Sequence, residues 1–134
     1  MPFQLFIQAQ GAGVLRIFGG IGEVGDGEQR RDFVFVNDVV DVNLFFAQSS
    51  SVQGVFNVGT GISRSFNDIA RVLISLNGRG DVKYLPFPKN LIGRYQDFTE
   101  ADTERLRAAG YVSPFTSLED GIRNCWPAFV AALT

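Results

Sequence analysis

Apolar positions along this chain switch between a helical and a strand-like rhythm, and the switches fall at glycines, prolines and capping residues. Residues 2–10 read as the rear of a helix, stopped by Gly11 and Gly13, and 14–18 is apolar enough for a strand. A glycine-rich loop over 19–27 follows, and 32–36 is a β-branched and aromatic segment suited to a strand or extended turn. Asn37 or Asp38 should cap a helix reaching about Ala47, with Val39, Val42 and Phe46 on one face and Val40, Leu44 and Phe45 widening that face toward full burial. Residues 54–59 form a short apolar run closed by glycine, which fits a buried strand.

The second half is better punctuated. Ser65 with Asp68 predicts a capped helix stopped by Gly78, its buried stripe being Phe66, Ile69, Ala70, Leu73 and Leu76. Residues 82–85 predict a strand, ended by Pro86 and Pro88. Thr99 predicts the cap of a helix through Ala109 with Gly110 as its stop. Ser117 with Asp120 starts a last helix that carries Leu118, Ile122, Trp126 and Phe129 inward and should kink at Pro127. Strands and helices alternate without an internal repeat, so the class is α/β.

Composition narrows the chemistry. The 134 residues, 46% hydrophobic and 19% charged, suit one compact domain or one lobe of a larger one. A net charge of −2 with scattered Lys and Arg offers no footprint for nucleic acid or an anionic membrane. One cysteine, Cys125, permits no internal disulfide, and the absence of histidine removes the usual zinc sites and every His-based triad. No secretory signal and no membrane-length apolar stretch is legible, so the sequence points to a cytoplasmic, soluble protein.

Five groups of residues carry candidate chemistry. Gly19-Gly20-Ile21-Gly22-Glu23-Val24-Gly25 has the spacing of a dinucleotide loop, but such a loop needs a helix directly after it and an acid further on. Here a polar run and a strand-like segment follow instead, so the glycines read as a hairpin or loop. Arg31 offers a planar cation for a diphosphate; its plainer reading is a surface arginine paired with Asp32 or Asp38. Gly93-Arg94-Tyr95-Gln96 groups a cation, a phenol and an amide suited to phosphate or sugar oxygens. Asn57-Val58-Gly59-Thr60-Gly61 reads as close packing rather than anion binding, and the pair Asp38 and Asp41 as capping or exposed acids rather than a metal site.

Two sets of motifs carry a resemblance. Arg31-Asp32-Phe33-Val34-Phe35-Val36-Asn37-Asp38-Val39 with Phe56-Asn57-Val58-Gly59-Thr60-Gly61 resembles the C-terminal portion of extended short-chain dehydrogenase/reductase enzymes acting on nucleotide sugars. Tyr84-Leu85-Pro86-Phe87-Pro88, the 93–102 stretch and Leu106-Arg107-Ala108-Ala109-Gly110-Tyr111 are similar to the ADP-L-glycero-D-manno-heptose 6-epimerase family. The resemblance implies that residues 1–134 are one lobe of a Rossmann-type fold: the C-terminal, substrate-binding part of a cytoplasmic NADP-dependent enzyme of lipopolysaccharide core synthesis. It also implies ADP-heptose or a related nucleotide sugar as ligand and a homo-oligomer when complete.

By the same resemblance Arg31 and Tyr95 match substrate-contacting positions, Phe18, Gly19 and Gly20 fall near the loop over the nucleotide sugar, and Arg94 and Gln96 are neighbours. The family's cofactor domain and catalytic tyrosine–lysine pair precede this region, and none of Tyr84, Tyr95 or Tyr111 is followed four residues later by lysine. The chain by itself is thus expected to bind no cofactor and catalyse no redox step. A stand-alone binding module and an epimerase or dehydratase of another nucleotide sugar remain the alternatives. The superfamily resemblance further implies that the 56–58 strand joins the sheet of the cofactor domain, so the isolated chain is expected to expose a hydrophobic edge and self-associate.

Overall fold

Residues 2–49 and 52–133 are described by a computed structural model. Helix α1 (Pro2–Gln10) leads into strand β1 (Val14–Phe18), which pairs in parallel with β4 (Asp81–Leu85), Val14 opposite Asp81 and Phe18 opposite Leu85. Parallel neighbours need a long crossover. Here it contains β2 (Arg30–Asp32), α2 (Val36–Gln48), β3 (Ser63–Ser65) and α3 (Phe66–Asn77), with β2 and β3 antiparallel, Arg30 opposite Ser65. A 3-10 turn (Lys89–Leu91), α4 (Glu104–Ala108) and α5 (Leu118–Ala131) complete the expected α/β alternation.

The main core lies where α1, α3 and α5 meet β1. Leu5, Phe6 and Ala9 of α1, Leu15 and Ile17 of β1, Phe66, Ile69, Ala70 and Leu73 of α3, and Leu118 and Ile122 of α5 are buried together. Helix α3 forms as its sequence dictates. The Asp68 amide donates to Ser65 Oγ (3.1 Å), the Ser65 amide to Asp68 Oδ2 (3.0 Å), and Gly78 closes the helix at φ 73°. Ser117 caps α5 through the Asp120 amide (3.1 Å). That helix continues through Pro127 to Ala131, because Trp126 and Phe129 are seated against the Phe6 ring at 4.9 and 5.2 Å.

Several elements differ from their sequence reading. Helix α2 begins at Val36, and Asp38 does not cap it. The Asp38 carboxylate accepts instead from the amide (2.7 Å) and hydroxyl (2.8 Å) of Thr116, tying α2 to the approach to α5. Val42 alone of the α2 valines is buried, while Val36, Val40 and Leu44 are exposed at four-residue spacing. The reason is a second core of Val42, Leu106 and Tyr111, joined by Phe45, Phe46, Val58 and Phe115, which draws only one side of the helix inward.

Residues 56–58 form no strand, so the hydrophobic strand edge is not there. Phe56 stacks on Phe46 at 4.6 Å and lies 5.6 Å from the Arg105 guanidinium, while Asn57 Nδ2 donates to the Asp102 carbonyl (3.2 Å). Thr99 caps no helix either. Its amide donates to the Arg30 carbonyl (3.1 Å), which holds this stretch extended beside β2, and α4 starts only at Glu104.

Arg64 bonds α3 to α5. Its guanidinium reaches Asp68 (3.0 Å) and both oxygens of Glu119 (2.6 and 3.3 Å). The hydrogen bonds from Arg64 hold the Glu119 carboxyl below its usual pKa. Burial pushes the Asp68 carboxyl upward, but Arg64, the Ser65 amide and Arg71 together outweigh it and leave it below the ordinary value. Carboxyls lowered by folding stabilise the native state above their unfolded pKa, and that stability is lost as pH falls through the folded value.

The urea midpoint should therefore drop as pH is lowered below about 4. Arg64→Met should cost roughly 1 kcal/mol at neutral pH and flatten that drop; an unchanged acid limb in the variant would contradict the assignment. Ser65→Ala should independently cost about 1 kcal/mol through loss of the cap.

Candidate nucleotide-sugar site

Strand β2 is three residues long, and each has a separate task. Arg30 clamps β3, its Nε on Ser63 Oγ (3.2 Å) and Nη2 on the Ser63 carbonyl (2.6 Å), while its backbone takes the Asp97 carbonyl (2.7 Å) and serves the Thr99 amide. Asp32 is a hub. Its Oδ1 accepts from the Thr60 amide (2.9 Å) and hydroxyl (2.6 Å), and its Oδ2 from the amides of Gly61 (2.9 Å) and Ala101 (3.2 Å). A Cβ on Gly59 would sit 2.6 Å from Ala101 Cβ and 2.7 Å from Asp32 Oδ2, so this loop is glycine for close packing, and its amides serve Asp32 rather than an anion.

Arg31 is left to face outward between these anchors. One end of its guanidinium donates to the Arg30 carbonyl (2.7 Å), the other to the Gln96 carbonyl, and the group lies 5.0 Å from the centre of the Tyr95 ring. Among the described residues it forms no ion pair. The partners considered from sequence are committed elsewhere, Asp32 to backbone amides and Asp38 to Thr116. The structure thus unites the two clusters read separately in the sequence, with Gln96 contributing its carbonyl to Arg31.

Tyr95 is positioned from below. The amides of Arg94 and Tyr95 both donate to the Leu91 carbonyl (3.0 Å each), which fixes the turn and leaves Arg94 exposed at its corner. Phe87 bridges Tyr95 (5.2 Å) to Phe18 (5.5 Å), giving an aromatic row from β1 to the turn. Gly19 and Gly20 adjoin the row's far end, anchored by the Leu85 carbonyl (2.7 Å from the Gly19 amide) and by Asp26 Oδ1 (2.6 Å from the Gly20 amide).

The glycine loop is a hairpin closed by reciprocal bonds between Ile21 and Val24 (2.9 and 3.0 Å). A Cβ on Gly20 would meet the Val24 carbonyl at 2.6 Å. The loop runs on into β2 and not into a helix, so it lacks the N-terminal amides that hold a nicotinamide cofactor's pyrophosphate. Tyr111 is no acid/base for neutral pH, since burial first, and the charges of Asp41 and Asp38 after it, push its phenol upward. Among the described residues no three His, Cys, Asp or Glu gather as metal ligands, and no helix is long and apolar enough to cross a membrane.

One residue of this region escaped sequence reasoning. Gln29 stands in a polar run that reads as solvated loop, yet it is 1% exposed, its Nε2 donating to the Gly19 carbonyl (2.8 Å). No periodicity marks it for burial. With Arg16, Ile17, Phe18, Phe66 and Tyr95 it lines a cavity of about 50 Å³, far below the few hundred Å³ of a pocket enclosing a whole small-molecule ligand.

Residues 5–59 match the NAD dependent epimerase/dehydratase family. The chain is 45% identical over 117 residues to an ADP-L-glycero-D-manno-heptose-6-epimerase of Alkalilimnicola ehrlichii, covering 87% of this chain and 37% of the relative. It is 44% identical to the protein of the same name from Cupriavidus pinatubonensis, over 91% of this chain and 42% of that one. Its fold superposes on the Helicobacter pylori ADP-L-glycero-D-manno-heptose-6-epimerase with a TM-score of 0.81 at 30% identity, covering 98% of this chain and 38% of the other. The chain spans about two fifths of the length of these relatives. In sequence the chain thus resembles ADP-L-glycero-D-manno-heptose-6-epimerases over most of its length, and its α/β fold is that of a part of the extended short-chain dehydrogenase/reductase epimerases.

Proposed function

We propose that this chain is the nucleotide-sugar-binding part of an enzyme that inverts C6 of ADP-heptose for lipopolysaccharide core synthesis. The observation that carries the reading is Arg31, an arginine with no carboxylate partner among the described residues, held over the Tyr95 ring. A guanidinium matches two phosphate oxygens at once, and carbonyls that orient it leave its charge available to a diphosphate. The Tyr95 phenol is suited to donate to a phosphate or sugar oxygen, the rim formed by Phe18, Gly19 and Gly20 to border the nucleotide, and Arg94 to add a second, mobile cation.

NADP, in the complete enzyme, supplies reversible hydride acceptance at the sugar. The glycine loop here opens onto no helix N-terminus that would take its pyrophosphate, and no tyrosine is followed four residues later by lysine, so in this reading the chain binds and orients while residues outside it carry the redox step. The same residues would serve a non-catalytic module equally well as a binding wall.

Calorimetric titration of the 134-residue chain with ADP and with ADP-heptose tests the proposal. Arg31→Ala should weaken ADP binding by about tenfold or more, the value of a charge-assisted hydrogen bond, and Arg31→Lys should recover only part of it. Arg94→Ala should cost less, roughly two- to threefold. Binding of ADP that is indifferent to Arg31 would refute the assignment, and tight ADP-heptose binding by the chain alone would favour the module.

A further inference from the structure

Gln29 leaves one buried atom without a partner. Its side-chain nitrogen is spent on the Gly19 carbonyl (2.8 Å), which also fixes the amide's orientation, since the reverse would set two oxygens against each other. Oε1 is buried, accepts no hydrogen bond among the described residues, and belongs to a residue lining the small cavity between β1, Phe66 and Tyr95. Unmet buried acceptors are rare and costly, so Oε1 calls for a donor. The cavity is lined mostly by Ile17, Phe18, Phe66 and Tyr95, so a lone water there would find few of the two to four polar partners it needs.

We propose that Gln29 reads the base of the nucleotide: its Oε1 accepts a hydrogen bond from the exocyclic amino group of a purine whose ring lies against Phe18 and Tyr95. This inference rests on the nucleotide-sugar reading above and adds a specificity-determining residue to it. A phosphate is excluded from this position because it offers acceptors and would oppose Oε1. The aromatic lining suits a planar ring, and a cavity of about 50 Å³ admits an amino group at its edge rather than the ring itself. Tyr95 separates the two recognition elements, with Arg31 stacked 5.0 Å from its ring centre and the Gln29 cavity lined by the same side chain. That order, base then diphosphate, is the order of groups in a nucleoside diphosphate.

The test compares ADP with purine riboside 5′-diphosphate, which carries hydrogen in place of the amino group, by calorimetry on the 134-residue chain. The wild-type chain should bind ADP about tenfold more tightly, and Gln29→Met, which keeps the length but not the acceptor, should reduce that ratio to about one while still binding both. Equal affinities in the wild type, or an undiminished preference in folded Gln29→Met, would overturn the inference and leave the Arg31 reading standing. Failure of the wild type to bind either nucleotide would overturn both. Should Gln29→Met not fold, nuclear Overhauser effects from the adenine protons of bound ADP to the rings of Phe18 and Tyr95 in the wild type decide it. Their absence would sink the proposal.

Discussion

The Asp32 carboxylate is the constraint on which the rest of the binding wall depends. Four donors from two stretches of chain converge on its two oxygens, two from Thr60 and one each from Gly61 and Ala101, and the close approach at Gly59 exists because they do. A carboxylate accepting several backbone hydrogen bonds can satisfy polar groups that irregular loops would otherwise leave unpaired. With the loop at 59–61 and the stretch around Ala101 fixed to β2, the preceding segment lies alongside Arg30 and delivers Tyr95 to Arg31. Order at the Asp32 carboxylate becomes geometry at the half-buried Arg31 one residue earlier.

That division of labour explains how a short strand can be both scaffold and site. Arg30 and Asp32 are consumed by structure, and Arg31 between them is held by carbonyls that orient it without neutralising it. The aromatic row from Phe18 through Phe87 to Tyr95 gives the wall an apolar floor, and the core beneath it, from α1, α3 and α5, gives it a rigid base. As proposed above, it would orient a nucleotide sugar, and the chain spans about two fifths of its relatives.

Local signals were legible where a single residue type settles the backbone. Ser65 with Asp68, Gly78, and Ser117 with Asp120 mark α3 and α5 correctly because capping is a short-range matter of a hydroxyl, an acid or a left-handed glycine. Long-range demands decided the misread elements. Asp38 and Thr99 look like caps, but Thr116 and Arg30 compete for them from far along the chain. Residues 56–58 have strand composition, but Phe46 and Arg105 bind Phe56 first. Arg31 and Tyr95 stood out from chemistry and resemblance; the Asp32 hub and Gln29 did not, since a buried glutamine in a polar run carries no periodic signature.

The central claim is that Arg31, Tyr95 and the rim at Phe18 to Gly20 form one continuous nucleotide-binding wall. Titrating uniformly ¹⁵N-labelled chain with ADP and following the amide resonances tests it most directly. The account predicts saturable shifts clustered at the amides of residues 18–20, 29–31 and 93–96, with the Asp32-bound amides of Thr60 and Gly61 little changed. Shifts centred on the 57–61 loop, or on the apolar groove bounded by α1 and α5 with residues 93–96 silent, would contradict it.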